Sequence, residues 1–301
     1  MVKFIIRILF IFLLFLSLLL NAEGKIFFDE TGRKLSISSE PKRIISLAPS
    51  VTEELYYLGV MKRVVGVTKF SNFPDMAKKL PKVGTYIHLD LEKIVSLKPD
   101  LVIGVKGHTP PGSIRKIEDM GFNIYFVNPK KVDDIFISMM NIGRILGIEK
   151  KTKKIVANFR KKWEMIKKKR EKGKEVKVFY QLGLNPMITI GKGTYQDDLL
   201  NKLKMINIAG KNNIKYPIYS IEKVILGRPD IILISPMGGT MDIKKAYGYW
   251  KNWVNIPAVK NKKIFVVPND LLDRPSPRIF ENLSDFVDMI FKNKRIFSKK
   301  F

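Results

Sequence analysis

Leu89-Asp90-Leu91-Glu92-Lys93-Ile94-Val95-Ser96-Leu97-Lys98-Pro99-Asp100-Leu101-Val102-Ile103-Gly104 returns in the second half of the chain as Tyr219-Ser220-Ile221-Glu222-Lys223-Val224-Ile225-Leu226-Gly227-Arg228-Pro229-Asp230-Ile231-Ile232-Leu233-Ile234. Each copy reads as a short helix carrying Glu-Lys and opened by a capping Asp or Ser, then a Pro-Asp corner, then a buried strand. A unit used once in each half predicts two similar lobes. Between the copies lies Glu149 to Lys172, where Ile155, Phe159, Trp163 and Ile166 recur at helical spacing on an otherwise charged segment, with Gly147 before it and Gly173 after it. At ~1.5 Å per residue this helix is roughly 36 Å long. The expected organisation is a lobe over 25–148, one long rigid connecting helix over 149–172, and a second lobe over 173–301.

Composition sets the outer bounds. The 301 residues are 46% hydrophobic and 11% aromatic, enough for a core in each lobe. Residues 1–24 stand apart: Lys3 and Arg7 precede an apolar run from Ile8 to Leu20, and Ala22-Glu23-Gly24 supplies small residues. That three-part build predicts a cleaved signal peptide. The chain has no cysteine, so disulfides, thiolate metal sites and a lipid-bearing cysteine after the signal are excluded. An exported protein without a lipid anchor is expected in the periplasm. The net charge of +27 would suit nucleic acid, but an export signal argues against that partner, and the lysine runs fall on the outer face of the long helix.

Along the chain, Lys25–Phe28 and Arg33–Ile37 predict a hairpin turning at Gly32. Arg43–Leu47 predicts a buried strand, and Ser50-x-x-Glu53 a capping box opening a helix that ends at Gly59. Strands over Arg63–Val67, Leu101–Val105, Phe122–Val127, Val176–Leu182, Ile231–Ile234 and Lys263–Val267 alternate with helical segments. That alternation predicts an α/β fold with mostly parallel sheets. Asn207–Pro217 reads as a polar loop.

In such sheets ligands bind outside the carboxyl ends of the strands. Here those ends are apolar, aromatic and glycine-rich: Ala48-Pro49-Ser50, Thr68-Lys69-Phe70 and Lys106-Gly107-His108 in the first half, Gly183 to Pro186, Pro236 to Gly238 and Pro268 to Asp270 in the second. They suit a large, flat, partly apolar ligand. No catalytic residues are expected. His88 and His108 have no metal-ligand spacing and read as surface loop residues, Ser50 and Ser235 show no adjacent base, and Gly191-Lys192-Gly193-Thr194 reads as a turn rather than a phosphate loop. No metal or cofactor site is expected. Glu92 and Glu222, at the same place in each repeat, are expected to offer one carboxylate per lobe to basic residues of a partner protein.

The stretch from Pro41 to Glu53, with Leu55 and Leu58-Gly59, resembles the opening of the class III solute-binding proteins of ABC importers. Val65 to Thr68, Phe73-Pro74 and Leu91 to Val102 continue the resemblance. Gln181 to Pro186 followed by Gly191-Lys192, and Asn269-Asp270 with Asp273-Arg274-Pro275-Ser276-Pro277-Arg278, are similar to the cobalamin-binding members. It covers roughly residues 41 to 290. It implies a non-catalytic, monomeric periplasmic receptor that holds a corrinoid such as cobalamin between its lobes and delivers it to an ABC permease. The same machinery carries ferric siderophores or haem in other members, and a chelatase-like enzyme is the expectation furthest from it. It also implies ligand contacts at Phe70, Phe73, Tyr86, Ile188 and Tyr216, with Asp270 and Arg274 near the cleft mouth, and permease docking through Glu92 and Glu222. Tyr86 and Tyr216 stand where the family commonly has tryptophan, and Val105 and Ile188 where it has aromatic residues.

Overall fold

Strand-length runs of branched residues separated by glycine and proline turns dictate an alternating architecture, which the computed structural model bears out. It describes residues 24–236, 241–267 and 271–292; the expected signal peptide, all but its last residue, therefore lies outside the described residues. The chain divides into two compact units.

The first unit comprises residues 24–48, 61–127 and 144–147. An antiparallel hairpin opens it, β1 (Lys25–Phe28) on β2 (Lys34–Ile37), with Gly32 at φ 89° in its turn. Then β3 (Ile44–Ser46), β4 (Val64–Val67), β5 (Leu101–Val105) and β6 (Ile124–Val127) form a parallel sheet in the order β4-β3-β5-β6. Its strands are buried on both faces, as crossover helices require. Ile45, Leu47, Ile94, Val102, Ile117 and Phe126 make the core on one side.

The second unit holds residues 49–60, 128–143 and 148 onward. Its parallel sheet contains β7 (Val176–Gln181), β8 (Met205–Asn207), β9 (Ile231–Ile234) and β10 (Ile264–Val266), in the order β8-β7-β9-β10. Taken in chain order, both sheets run second-first-third-fourth. The repeat is thus one of topology as well as sequence. Phe179, Val224, Ile232, Ile234, Ala246 and Trp250 are its buried core.

The repeated stretch is reproduced in detail. Residues 91–100 and 221–230 show the same sequence of exposed, half-buried and buried positions. The helix Leu91–Ser96 is capped by Asp90, which accepts the Lys93 N–H at 2.9 Å; the helix Ile221–Gly227 is capped by Ser220, which accepts that of Lys223 at 3.4 Å. Lys98 and Arg228 both take left-handed backbone, at φ 44° and 45°. At the corners, the Asp100 carboxylate accepts the Arg43 N–H at 2.9 Å and the Asp230 carboxylate that of Lys177 at 2.8 Å. Each corner aspartate ties the start of the third strand of its sheet to the first.

Three expectations are revised. The long helix runs Glu149–Glu171 as predicted, but it belongs to the second unit, and its buried stripe is Val156, Phe159, Trp163 and Ile166, with Ile155 only half-buried. Phe280 on the Ile279–Lys292 helix packs between Phe136, Phe159 and Trp163, its ring centroid 4.9 Å from that of Phe136 and 5.9 Å from the other two. Pro49–Val60 and Asn128–Gly143 also fold into this unit, so the first boundary is not one cut at 148. Finally, β8 stands where no strand is expected, with only its last residue, Asn207, in the expected loop, and Lys204 precedes it at φ 55°.

Candidate functional site

In the first unit the site is built where β4 and β5 end. The chain leaving β4 is held by a hydrogen bond from Lys69 N–H to Gly84 O at 2.8 Å, and residues 82–90 return beside it through bridges Val67↔Lys82 and Gly84↔Leu89. Gly84 has φ 99°, and a Cβ there would lie 2.2 Å from His88 O, so only glycine lets this loop fold back so tightly. The result is an aromatic surface. Phe70 is exposed and stacks on half-buried Tyr86, centroids 5.2 Å apart at 27°; His108, from the end of β5, stands edge-on to Tyr86 at 5.4 Å. Phe73 is half-buried just beyond Phe70 in the chain. Of the expected contacts, Phe70 and Tyr86 come together directly. His108, read from sequence as a loop histidine, joins them; it lies at a strand's carboxyl end, and that placement was the only available signal.

In the second unit, Leu182 to Pro186, Ile188, Tyr216, Met241, Asp242 and Lys245 line a depression of about 570 Å3. Two expected contacts, Ile188 and Tyr216, are therefore on one wall. They are held together by the Ile188↔Ile218 bridge and by hydrogen bonds from Thr189 N–H to Pro217 O at 3.1 Å and Gly191 N–H to Lys215 O at 2.7 Å. A Cβ on Gly191 would sit 2.0 Å from Ile214 O. The Gly191-Lys192-Gly193-Thr194 stretch is therefore a turn that admits the Tyr216 loop, and Thr194 caps the Tyr195–Lys202 helix by accepting the Asp197 N–H. Met241 and Lys245 were not foreseen, since neither belongs to a motif. The Asp242 side chain caps the Ile243–Trp250 helix.

Asp270 lies outside the described residues. Arg274 is placed in an ion-pair cluster: its Nη1 is 3.0 Å from Glu53 Oε1, Arg278 Nη1 is 3.4 Å from the same oxygen, and the Ser276 hydroxyl donates to Glu53 Oε2. Glu53 is fully buried, and burial pushes its carboxyl pKa up in spite of the serine hydrogen bond and both guanidinium groups. This corrects the capping-box reading. The helix starts at Pro49, which needs no partner for a missing N–H, so Ser50 is already inside it and Glu53 serves the cluster. Beside it, Asp273 accepts the Tyr180 hydroxyl at 2.9 Å and the Ser235 hydroxyl. Burial and that carboxylate hold the Tyr180 pKa well above its ordinary value, so it remains a donor. Ser235 is a framework hydroxyl, donating to the Asp273 carboxylate that also accepts from Tyr180.

Glu92 and Glu222 are both exposed on the first turn of their helices. The Ser220 hydroxyl and its own backbone N–H hold the Glu222 carboxyl below its ordinary range. Among the described residues no group of three His, Cys, Asp or Glu could hold a metal ion, and no helix is long and apolar enough to cross a membrane.

Comparison with known proteins extends these observations. A family model described as periplasmic binding protein matches residues 44–271. The chain is 32% identical over 246 residues to the vitamin B12-binding protein of Vibrio vulnificus, covering 81% of this chain and 88% of that one. It is 31% identical over 270 residues to an uncharacterized ABC transporter substrate-binding lipoprotein of Bacillus subtilis, covering 87% and 84%. The crystal structure of the periplasmic vitamin B12 binding protein of Vibrio cholerae superposes with a TM-score of 0.75 at 29% identity, over 84% of this chain and 98% of that one. Two parallel sheets of one topology, aromatic strand ends and a family match across most of the chain agree: this chain belongs to the periplasmic binding protein family.

Proposed function

We propose that the protein is a periplasmic receptor that captures a cobalamin-like corrinoid and delivers it to an ABC permease, without catalysis. The observation that carries the reading is the Phe70–Tyr86–His108 surface at the carboxyl ends of the first sheet. A stacked pair at the surface, with Phe70 exposed and Tyr86 half-buried, suits the flat face of a macrocycle. Relatives named for vitamin B12 at 29–32% identity support the choice of a corrinoid. In this reading Phe70, Phe73 and Tyr86 of the first unit and Ile188 and Tyr216 of the second touch the ligand. Asp270 follows them on the family resemblance. Arg274 contributes by fixing the 271–278 segment through Glu53, because its guanidinium is already paired. The protein acts as a monomer, free in the periplasm after signal cleavage; with no cysteine in its 301 residues it lacks the attachment point of a cysteine-linked lipid.

The test is the visible spectrum of protein purified from its own host, followed by titration with cyanocobalamin. A corrinoid spectrum and micromolar or tighter binding are expected. A haem or ferric-catecholate spectrum with no cyanocobalamin binding would replace the corrinoid by that ligand.

The proposed ligand contacts give a second expected result. Replacing Tyr86 or Tyr216 by Ala should each remove about 1–3 kcal/mol of binding, the scale of burying one large side chain. That is roughly a five- to 150-fold weaker Kd in isothermal titration. Unchanged affinity in both variants would show that the ligand binds elsewhere.

A further inference from the structure

The two repeats match in cap, corner, backbone and burial, so positions where they differ chemically stand out against a common scaffold. On the exposed helix face, residues three and four apart are neighbours. In the first unit that face carries Glu92, Val95 and Ser96; in the second it carries Glu222, Ile225 and Leu226. Val95 is 42% exposed and Ile225 37%, a matched pair. Leu226 is 81% exposed, where its counterpart is a serine. A single exposed leucine is ordinary on any surface. This one lies one turn from a carboxylate that no basic side chain pairs among the described residues, in a protein of net charge +27. So much exposed apolar surface adds little to the stability of the isolated unit, and the first repeat folds the same way with a serine.

We infer that Leu226, with Ile225, is an apolar anchor for the permease, so that the two docking faces are unequal and the second unit's face carries the larger share of the affinity. This rests on the permease delivery proposed above and on the docking role that the repeat and the family resemblance lead one to expect of Glu92 and Glu222. The partner surface it fits is an apolar pocket beside a guanidinium or ammonium group. The carboxylate selects the basic group, and the leucine fills the pocket and excludes water around the pair. The first unit's face, with serine in that place, meets its basic group through the carboxylate and Val95 alone.

The experiment uses the source organism's corrinoid-importer permease, reconstituted in lipid nanodiscs, and full-length mature receptor. Leu226→Ser makes the second face like the first and should weaken the complex about ten- to a hundredfold, the scale of exposing one fully buried leucine. Adding Ser96→Leu in that background moves the anchor to the first face and should recover at least part of the loss. Cyanocobalamin affinity and melting temperature should match the wild type in both variants. If Leu226→Ser binds the permease as wild type does while Glu222→Ala is weakened, the apolar anchor is wrong and the docking role stands. If neither substitution weakens the complex, the docking role fails and the anchor with it.

Discussion

Arg274→Ala is expected to destabilise the protein by about 3 kcal/mol, at the lower end of the ~3–5 kcal/mol for stranding one partner of a buried ion pair. Glu53 is fully buried and Arg274 is 13% exposed at the side chain, so water cannot replace the lost guanidinium. The lower end applies because Arg278 and Ser276 remain on the same carboxylate. At about 2–4 °C per kcal/mol the melting temperature should fall by roughly 6–12 °C. The pH dependence has a defined sign. The folded state holds the Glu53 proton more tightly than the unfolded chain does, because burial raises its pKa above 4.5. Its contribution to stability is therefore fully present below that value and is lost as pH rises through the folded-state pKa. Glu53→Gln removes the titrating group, so the variant should gain relative to wild type as pH rises from 4 towards neutrality. Melting curves of wild type, Arg274→Ala and Glu53→Gln across that range check both statements. Parallel wild-type and Gln profiles would mean that Glu53 keeps an ordinary pKa. A wild-type melting temperature in Arg274→Ala would mean that the cluster is not what fixes the 271–278 segment.

The same cluster shows where sequence reading stops. Ser50-x-x-Glu53 has the local form of a capping box, and Asp273 to Arg278 the form of a ligand motif. Contacts between residues far apart in sequence override the first and engage most of the second, and no local pattern announces them. The repeat was legible for the opposite reason. Its cap, Pro-Asp corner and buried strand are all local, so residues 89–104 and 219–234 declared their structure and, through it, the two sheets. The long helix was legible as a helix, whereas its membership of the second unit depends on Phe280, Phe136 and the Pro49–Val60 segment. β8 has three residues, too few for a period to show. At the site, the family resemblance supplied Phe70, Tyr86, Ile188 and Tyr216 as candidates, and of these only Phe70 also followed from strand-end placement. The stacking of Phe70 on Tyr86 and the addition of His108 depend on a loop folded around Gly84, whose requirement for glycine is a matter of backbone distance.

Changing Glu92 and Glu222 together to Ala is expected to abolish measurable permease binding while leaving ligand affinity unchanged. Three observations favour this. Both carboxylates are exposed on the first turn of equivalent helices, neither supports the core, and each stands on a scaffold fixed by its own cap and corner aspartate. A carboxylate there is favoured by the helix N-terminus and, for Glu222, by the Ser220 hydroxyl, which keeps it ionised well below neutral pH. On a partner surface that buries and hydrogen-bonds the pair, truncating one acid costs about 2–5 kcal/mol, against less than ~1 kcal/mol if the pair stays at a wet rim. Two such losses, if the sites are independent, multiply to a weakening of a thousandfold or more. Single variants should lie between, and a charge-conserving Glu→Asp should keep part of the binding. Binding to nanodisc-held permease, run beside a cyanocobalamin titration on the same preparation, decides the matter. Wild-type permease affinity in the double variant would remove the docking role, and lost ligand affinity would move both glutamates into the ligand site or the fold.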